Sequence, residues 1–208
     1  MTKESAGPVT DMSYAVLPER MPEIPQDKLN EEQRAVVAAL VASRGGLKGS
    51  FKALVRSPQL MDRIQKLGAF VRFEASLDLR VNRVASLLTT RHWSNQYEWS
   101  GNTVLAREAG LSADIINAIG EGRRPEQMAA DEEAAYDFVT ELLANKGVSD
   151  RTYARAVEKF GEHGVIDMLG IVGYYGLLAM VMNAVRTPVV DGSPMPLVPM
   201  PQQLRPTL

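Results

Sequence analysis

Apolar residues recur at three- and four-residue spacing between residues 26 and 187, which is the period of an amphipathic α-helix. No stretch alternates apolar and polar residues in the way that a half-buried strand does. Capping residues precede the apolar stripes and glycines follow most of them, as expected at helix ends. The predicted starts are Asn30, Ser57, Asp78, Ser94, Ser112, Asp131 and Ser149, and the predicted ends are near Phe73, Gly110, Gly120, Gly147 and Gly161. The pattern therefore predicts an all-α fold.

The last predicted helix, from about Val165 to Val185, is a long apolar segment. Residues 168–185 carry no charge, and these eighteen residues are close to the lower limit for a membrane-spanning helix. Two adjacent tyrosines and three glycines interrupt the segment, and no basic cluster flanks it closely. These features favour a buried core or subunit-interface helix over a membrane span. The three glycines recur every third residue, so close packing against another helix is expected on their face.

Prolines concentrate at the two ends of the chain, with four between residues 8 and 25 and six between residues 188 and 208. Because proline fixes φ and donates no backbone hydrogen bond, both ends are predicted to be extended. The predicted division is an N-terminal arm at residues 1–25, a helical domain at 26–187 and a proline-rich C-terminal arm at 188–208. The arms either lie on a partner surface or fray into solvent, and the sequence leaves both open.

The charges nearly balance, since 23 Lys and Arg residues and 25 Asp and Glu residues give a net charge of −2. This composition gives no indication of a nucleic-acid or anionic-membrane partner. The chain contains no cysteine, which excludes a thiolate nucleophile within it, and its two histidines, His92 and His163, give no indication of a metal site. The first twenty residues lack the apolar core of a secretory signal, so a cytoplasmic protein is expected.

The densest group of polar and aromatic residues is R-H-W-S-N-Q-Y-E-W-S-G-N at residues 91–102. Helical spacing places Asn95, Glu98 and Asn102 on one face, and both tryptophans of the chain lie among them. A carboxylate that aromatic rings shield from water has a raised pKa and can act as a general acid or base. Alternatively, Glu98 is a first-turn glutamate that the helix N-terminus stabilises, and the tryptophans belong to the core.

This segment resembles the carboxymuconolactone decarboxylase family, which belongs with the alkylhydroperoxidase D-like proteins. The resemblance covers about residues 25–195. It is also carried by L-A-R-E-A-G-L at 105–111, G-R-R-P at 122–125, V-S-D-R-T-Y at 148–153, G-Y-Y-G-L-L at 173–178 and N-A-V-R-T-P at 183–188. It implies an all-helical homo-oligomer that uses neither a metal nor an organic cofactor. The decarboxylase branch of the family works on small lactone acids, and the peroxidase branch uses a C-x-x-C pair with a glutamate–histidine proton relay.

Matched residue by residue, the two cysteines of the peroxidase branch fall at Asn95 and Glu98. The histidine of the family relay falls at Asn102, and the glutamate of the preceding helix falls at Arg83. The match therefore implies no thiol peroxidase activity and leaves Glu98 as the only carboxylate on this face. Arg83 either pairs with Glu98, which lowers the glutamate pKa, or holds a substrate carboxylate and leaves Glu98 free to act as a base.

Two functions from different classes are consistent with these residues. The first is a cofactor-free lyase or isomerase that acts on a small cyclic or carboxylated metabolite. In that enzyme Glu98 moves the proton and Asn102 hydrogen-bonds a developing enolate. Arg83 or Arg91 orients an anionic group of the substrate. The other expected substrate-binding residues are Trp93, Asn95, Tyr97 and Trp99.

The second function is a non-catalytic oligomeric binding protein that has lost the relay. A cavity that reaches Arg83, Glu98 and Asn102 favours the enzyme, and a filled core at that place favours the binding protein. Either function is expected in a homo-oligomer, a dimer or a trimer, with the 165–185 helix or the arms at its interface. No metal, nucleic-acid or membrane partner is expected.

Overall fold

The computed structural model describes residues 18–189 and Leu197. Within that part of the chain every regular element is helical, so the all-α prediction is confirmed. A short 3-10 turn at Gln26–Lys28 precedes the α-helices. These are α1 (Glu31–Arg44), α2 (Phe51–Leu54), α3 (Pro58–Phe73), α4 (Leu79–His92), α5 (Gln96–Glu108), α6 (Ala113–Gly120), α7 (Ala130–Asn145) and α8 (Asp150–Val185).

Most helices begin where their capping residues predict. The predicted caps whose side chains accept a first-turn backbone N–H are Asn30, Asp78, Ser112 and Ser149. The prediction for α5 is wrong by one residue, because Asn95 caps it and Ser94 takes a left-handed φ of 48°. Helix α7 begins at Ala130, so Asp131 lies in its first turn rather than at its cap. The four-residue helix α2 is too short to leave a periodic pattern.

Helix α8 consists of two helical parts that meet at Gly161, where φ is 66° and ψ is 170°. The predicted helix end at Gly161 is confirmed, since glycine adopts a positive φ without steric cost. The following part is long and apolar enough by composition to cross a membrane. However, 61% of its eighteen-residue apolar window is buried inside the protein, as in a core helix.

Helix α4 lies at the centre of the packing and contacts α5, α7 and α8. The largest fully buried side chains around it include Leu87, Ile116, Phe138, Met168 and Tyr174. The predicted close packing at the α8 glycines occurs at Gly176, where an added Cβ would lie 3.4 Å from Nε1 of Trp93. It does not extend to Gly173, which faces open space.

The described parts of both predicted arms lie against the helical domain. The backbone N–H of Arg20 donates to the carbonyl of Val185 at 2.8 Å. Leu197 is buried, and its backbone exchanges hydrogen bonds of 2.7 and 3.1 Å with the side-chain amide of Gln96. Residues 1–17, 190–196 and 198–208 lie outside the described residues, so the three-part division stays a prediction.

The G-R-R-P segment at residues 122–125 contributes to an ion-pair network on the surface. Arg124 pairs with Glu133 and Asp137 of α7, and Arg155 of α8 pairs with the same two carboxylates. The shared carboxylates tie the loop before α7 and the first part of α8 to one helix. Arg124 of this motif therefore has a structural role.

Candidate functional site

The cap of α5 determines how its first turn is held. Oδ1 of Asn95 accepts the backbone N–H of Glu98 at 2.9 Å, and Nδ2 of Asn95 donates to Oδ1 of Asn183 at 2.8 Å. Asn183 in turn donates to the backbone carbonyl of Trp93 at 2.8 Å. Asn95 is buried and occupied by these structural bonds, so it orients the helix rather than a substrate.

A cavity of about 220 Å³ lies beside this first turn. It is smaller than the roughly 300–1,000 Å³ of typical ligand pockets, which suits a small metabolite. Glu98 is the only carboxylate that lines it, and no group of three or more His, Asp or Glu side chains placed to hold a metal ion occurs among the described residues. The other side chains that line it are Arg44, Lys48, Ser50, Phe51, Arg72, Tyr97, Asn102, Leu105, Tyr174, Tyr175 and Leu178.

Asn102 holds the Glu98 carboxyl group from one turn further along α5. Its Nδ2 donates to the backbone carbonyl of Glu98 at 2.9 Å and to Oε2 of Glu98 at 3.3 Å. Both amide hydrogens are thereby used, and the buried Oδ1 is the atom without a partner among the described residues. An oxygen acceptor cannot stabilise an enolate, so the geometry assigns Asn102 to positioning Glu98 instead of the expected enolate contact.

Burial raises the pKa of Glu98 from 4.5 to about 7. Loss of hydration is the largest cause, and the guanidinium of Arg72, the hydrogen bond from Asn102 and the guanidinium of Arg44 oppose it. Near neutral pH the carboxyl group is therefore present in both its protonated and its ionised form. This is the condition under which a single group is most effective as a general acid and base.

Two arginines contribute, together with Lys48, to the positive charge of the cavity. Nη1 of Arg44 donates to the hydroxyl of Tyr174 at 3.2 Å, and Nη2 donates to the backbone carbonyl of Gln65 at 3.0 Å. Nε of Arg72 and Oγ of Ser50 are buried without a hydrogen-bond partner among the described residues. Arg44 is thus fixed in place, whereas Arg72 and Ser50 have donors left for an oxygen anion.

The contact between Arg44 and Tyr174 depends on a glycine in α3. A Cβ added to Gly68 would lie 2.3 Å from both Nη2 of Arg44 and the hydroxyl oxygen of Tyr174. Burial raises the pKa of Tyr174 to about 12, so its hydroxyl stays protonated at neutral pH. Tyr174 can therefore donate a hydrogen bond while it accepts one from Arg44.

A second cavity, of about 410 Å³, shares Lys48, Gly49 and Tyr97 with the first. Gly49 has a left-handed φ of 56°, and an added Cβ would lie 2.7 Å from Cε1 of Tyr97. The Tyr97 ring therefore packs directly on the backbone of this loop. Because the two cavities have these residues in common, they adjoin at Tyr97.

Arg83 does not line the cavity. Its side chain is buried, and Nη1 donates to the hydroxyl of Tyr175 at 3.3 Å. Tyr175 lines the cavity, whereas Arg83 lies behind it. Within the described residues Arg83 forms no ion pair with Glu98, and Arg44 and Arg72 are the cations that act on the Glu98 carboxyl group.

The two tryptophans and Arg91 also lie away from Glu98. Trp99 is 3% exposed and packs against Gly120, and Trp93 packs edge-on against His92. A helix turns about 100° per residue, so when Glu98 faces the cavity the next side chain faces the core. Arg91 lines a third cavity that has no lining residue in common with the first.

Sequence reasoning missed Arg44, Arg72 and Tyr174, which come from three different helices. The two arginines lie in the last turns of α1 and α3, where basic residues are common and carry no functional signal. The sequence contains one indication of a polar role for Tyr174, because a tyrosine pair in an uncharged helical segment requires partners for its hydroxyl groups. Only the packing of α1, α3, α5 and α8 brings these side chains to Glu98.

No protein-family model and no curated protein matches the sequence. A solved structure does match, with a TM-score of 0.66: the alkylhydroperoxidase AhpD core described as an uncharacterized peroxidase-related protein from Ralstonia eutropha JMP134. The two sequences are 14% identical, and the match covers 83% of this chain and 93% of that chain. Identity at this level establishes the architecture alone. The chain therefore has the all-α alkylhydroperoxidase D-like fold.

Proposed function

We propose that this protein is a cofactor-free lyase or isomerase of the carboxymuconolactone decarboxylase type. It acts on a small carboxylated metabolite by proton transfer at Glu98. The observation that carries this proposal is a cavity with a single carboxyl group, whose pKa is raised to about 7, beside two arginines. Thiol peroxidase chemistry is not part of the proposal, because the chain has no cysteine.

The charges of the cavity favour an anionic substrate. Arg44, Arg72 and Lys48 line it together with one glutamate, so an ionised Glu98 still leaves an excess of positive charge. Among the guanidinium donors of this cavity, Nε of Arg72 is buried without a partner among the described residues, and it can hold a carboxylate or a developing enolate oxygen. Apolar walls from Phe51, Leu105 and Leu178 accommodate the carbon skeleton.

The chemistry needs one acid–base group. In a decarboxylation, the bond between the carboxylate and its neighbouring carbon breaks, CO2 leaves, and the electron pair forms an enolate that Arg72 stabilises. Protonated Glu98 then donates its proton to carbon, and water restores that proton. In an isomerisation, ionised Glu98 removes a proton from one carbon and returns it to another. Asn102 keeps the carboxyl group in place in both reactions.

The test is turnover of small lactone acids and related carboxylic acids by wild-type protein and by Glu98→Gln. Glutamine keeps the volume and the hydrogen bond to Asn102 but cannot exchange a proton. We expect kcat to fall by about 10²–10⁴-fold while substrate affinity changes little. Glu108→Gln, an exposed glutamate of the same helix, is the matched control and should keep full activity.

Two outcomes oppose the proposal. Full activity of Glu98→Gln would remove Glu98 from the reaction. Binding of these acids in the cavity without conversion by the wild-type protein would identify the non-catalytic binding protein that the sequence also allows.

A further inference from the structure

The cavity that contains Arg91 has a volume of about 210 Å³ and lies between α4, α6 and α7. Leu88, Ile119 and Leu143 contribute to its apolar wall, and no carboxylate of the described residues lines it. It shares no lining residue with the cavity at Glu98. A ligand in it therefore contacts a different set of side chains from the proposed substrate.

The guanidinium of Arg91 forms no hydrogen bond or ion pair with any residue in the part of the chain that the structure describes. The residue is 5% exposed, and its Nε and Nη1 are buried without a hydrogen-bond partner among the described residues. Burial lowers the pKa of Arg91, as expected for a cation that has lost its hydration. An unpaired buried charge costs several kcal/mol, so such a residue normally has a carboxylate next to it.

Several carboxylates that lie close in sequence to the lining residues are paired with other arginines. Glu121 pairs with Arg123 at 2.6 Å, and both side chains are more than half exposed. Glu133 and Asp137 of α7 pair with Arg124 and with Arg155. The charge of Arg91 is thus complementary to an anion from outside the described chain.

The rest of the cavity defines what kind of anion fits. His92 also lines it, and partial burial lowers the His92 pKa from 6.5, which disfavours a second positive charge at that position. Arg123 also lines the cavity, but it is more than half exposed and its charge is paired with Glu121. The buried charge of Arg91 therefore suits a singly charged group on an apolar body better than a phosphate dianion. The planar fork of arginine matches a carboxylate in two hydrogen bonds.

We propose that this cavity is a second ligand site, in which Arg91 binds the carboxylate of a small monocarboxylic acid and Leu88, Ile119 and Leu143 contact its apolar body. The site accounts for a buried cation that has no counter-ion within residues 18–189 or at Leu197. It is independent of the proposed reaction at Glu98.

Calorimetric titration of the full chain with benzoate and hexanoate, each compared with its neutral amide, tests the site. We expect the acids to bind and the amides to bind at least about tenfold more weakly. Arg91→Met should weaken acid binding by about 10–100-fold, because it removes a charge-assisted pair of hydrogen bonds. Arg72→Met removes a cation from the other cavity and should leave this affinity within about twofold.

Two further measurements separate the ligand site from a merely structural arginine. Without ligand, Arg91→Met should raise the melting temperature, since it removes an unpaired buried charge. Leu143→Trp fills the cavity while Arg91 is kept, and it should abolish acid binding. The proposal is overturned if neither acid binds, if the amides bind equally well, or if binding survives both Arg91→Met and Leu143→Trp. Loss of binding in Arg72→Met alone would place the acids at Glu98 and overturn it as well.

Discussion

The raised pKa of Glu98 makes a direct prediction about stability. The folded pKa, about 7, lies above the ordinary value of 4.5, so the folded state binds this proton more tightly than the unfolded state does. The contribution of Glu98 to the unfolding free energy is therefore fully present below pH 4.5 and is lost as the pH rises to about 7. At about 1.36 kcal/mol per pH unit, the loss amounts to about 3 kcal/mol.

Glu98→Gln isolates this contribution because glutamine is neutral at every pH. We expect the difference in unfolding free energy between variant and wild type to shift by about 3 kcal/mol in favour of the variant between pH 4.5 and pH 8. In a chain of this length that shift corresponds to about 6–12 °C in melting temperature.

Urea denaturation at matched protein concentration, followed by circular dichroism from pH 4.5 to pH 8.5, measures this difference. The other titratable groups of the chain are the same in the two proteins, so the comparison cancels their contribution. A difference in unfolding free energy that stays constant across the range would show that Glu98 has an ordinary pKa. That result would contradict the proposed acid–base role, because the role depends on the raised pKa of Glu98.

Three further predictions concern packing, assembly and chemistry. Gly68→Ala should lower the unfolding free energy by about 1–2 kcal/mol, because the added Cβ would overlap Arg44 and Tyr174. Gly173→Ala adds a Cβ that meets nothing within 4 Å, so it should raise the unfolding free energy by up to about 1 kcal/mol. Equal effects of the two substitutions in thermal denaturation would contradict this. Light scattering at micromolar concentration should give the mass of a dimer or trimer, and a strictly monomeric mass would refute the assembly. Metal-free protein should not reduce alkyl hydroperoxides with thiol reductants, and turnover above a heat-inactivated control would refute that.

The helices were predictable because their signals are local. A cap such as Asn30 or Ser149 acts on the backbone three residues later, and Gly161 interrupts a helix through its own φ. The one-residue error at Ser94 has a local cause too. Two potential caps stand side by side, and only the backbone conformation decides that Asn95 accepts the N–H of Glu98.

The candidate site was only partly predictable because its charges come from distant segments. The spacing of Glu98 and Asn102 on one helix brought those two together correctly. No pattern along the chain predicts that Arg44 and Arg72 lie near Glu98, because their position depends on how α1 and α3 pack. Arg83 and Arg91 were expected to contact the substrate. Arg83 instead donates a hydrogen bond to the hydroxyl of Tyr175, and Arg91 lines a different cavity.

The balance of forces on Glu98 also bears on which reaction the proposed enzyme performs. Burial raises the Glu98 pKa, and Arg72 is the strongest of the influences that lower it. A substrate carboxylate bound to Arg72 would offset that positive charge and raise the Glu98 pKa further, so that the complex holds the proton at neutral pH. A protonated carboxyl group is what a decarboxylation needs, because the enolate left by CO2 must be protonated on carbon. An isomerisation begins with the ionised form instead, so an anionic substrate held by Arg72 favours decarboxylation at this site.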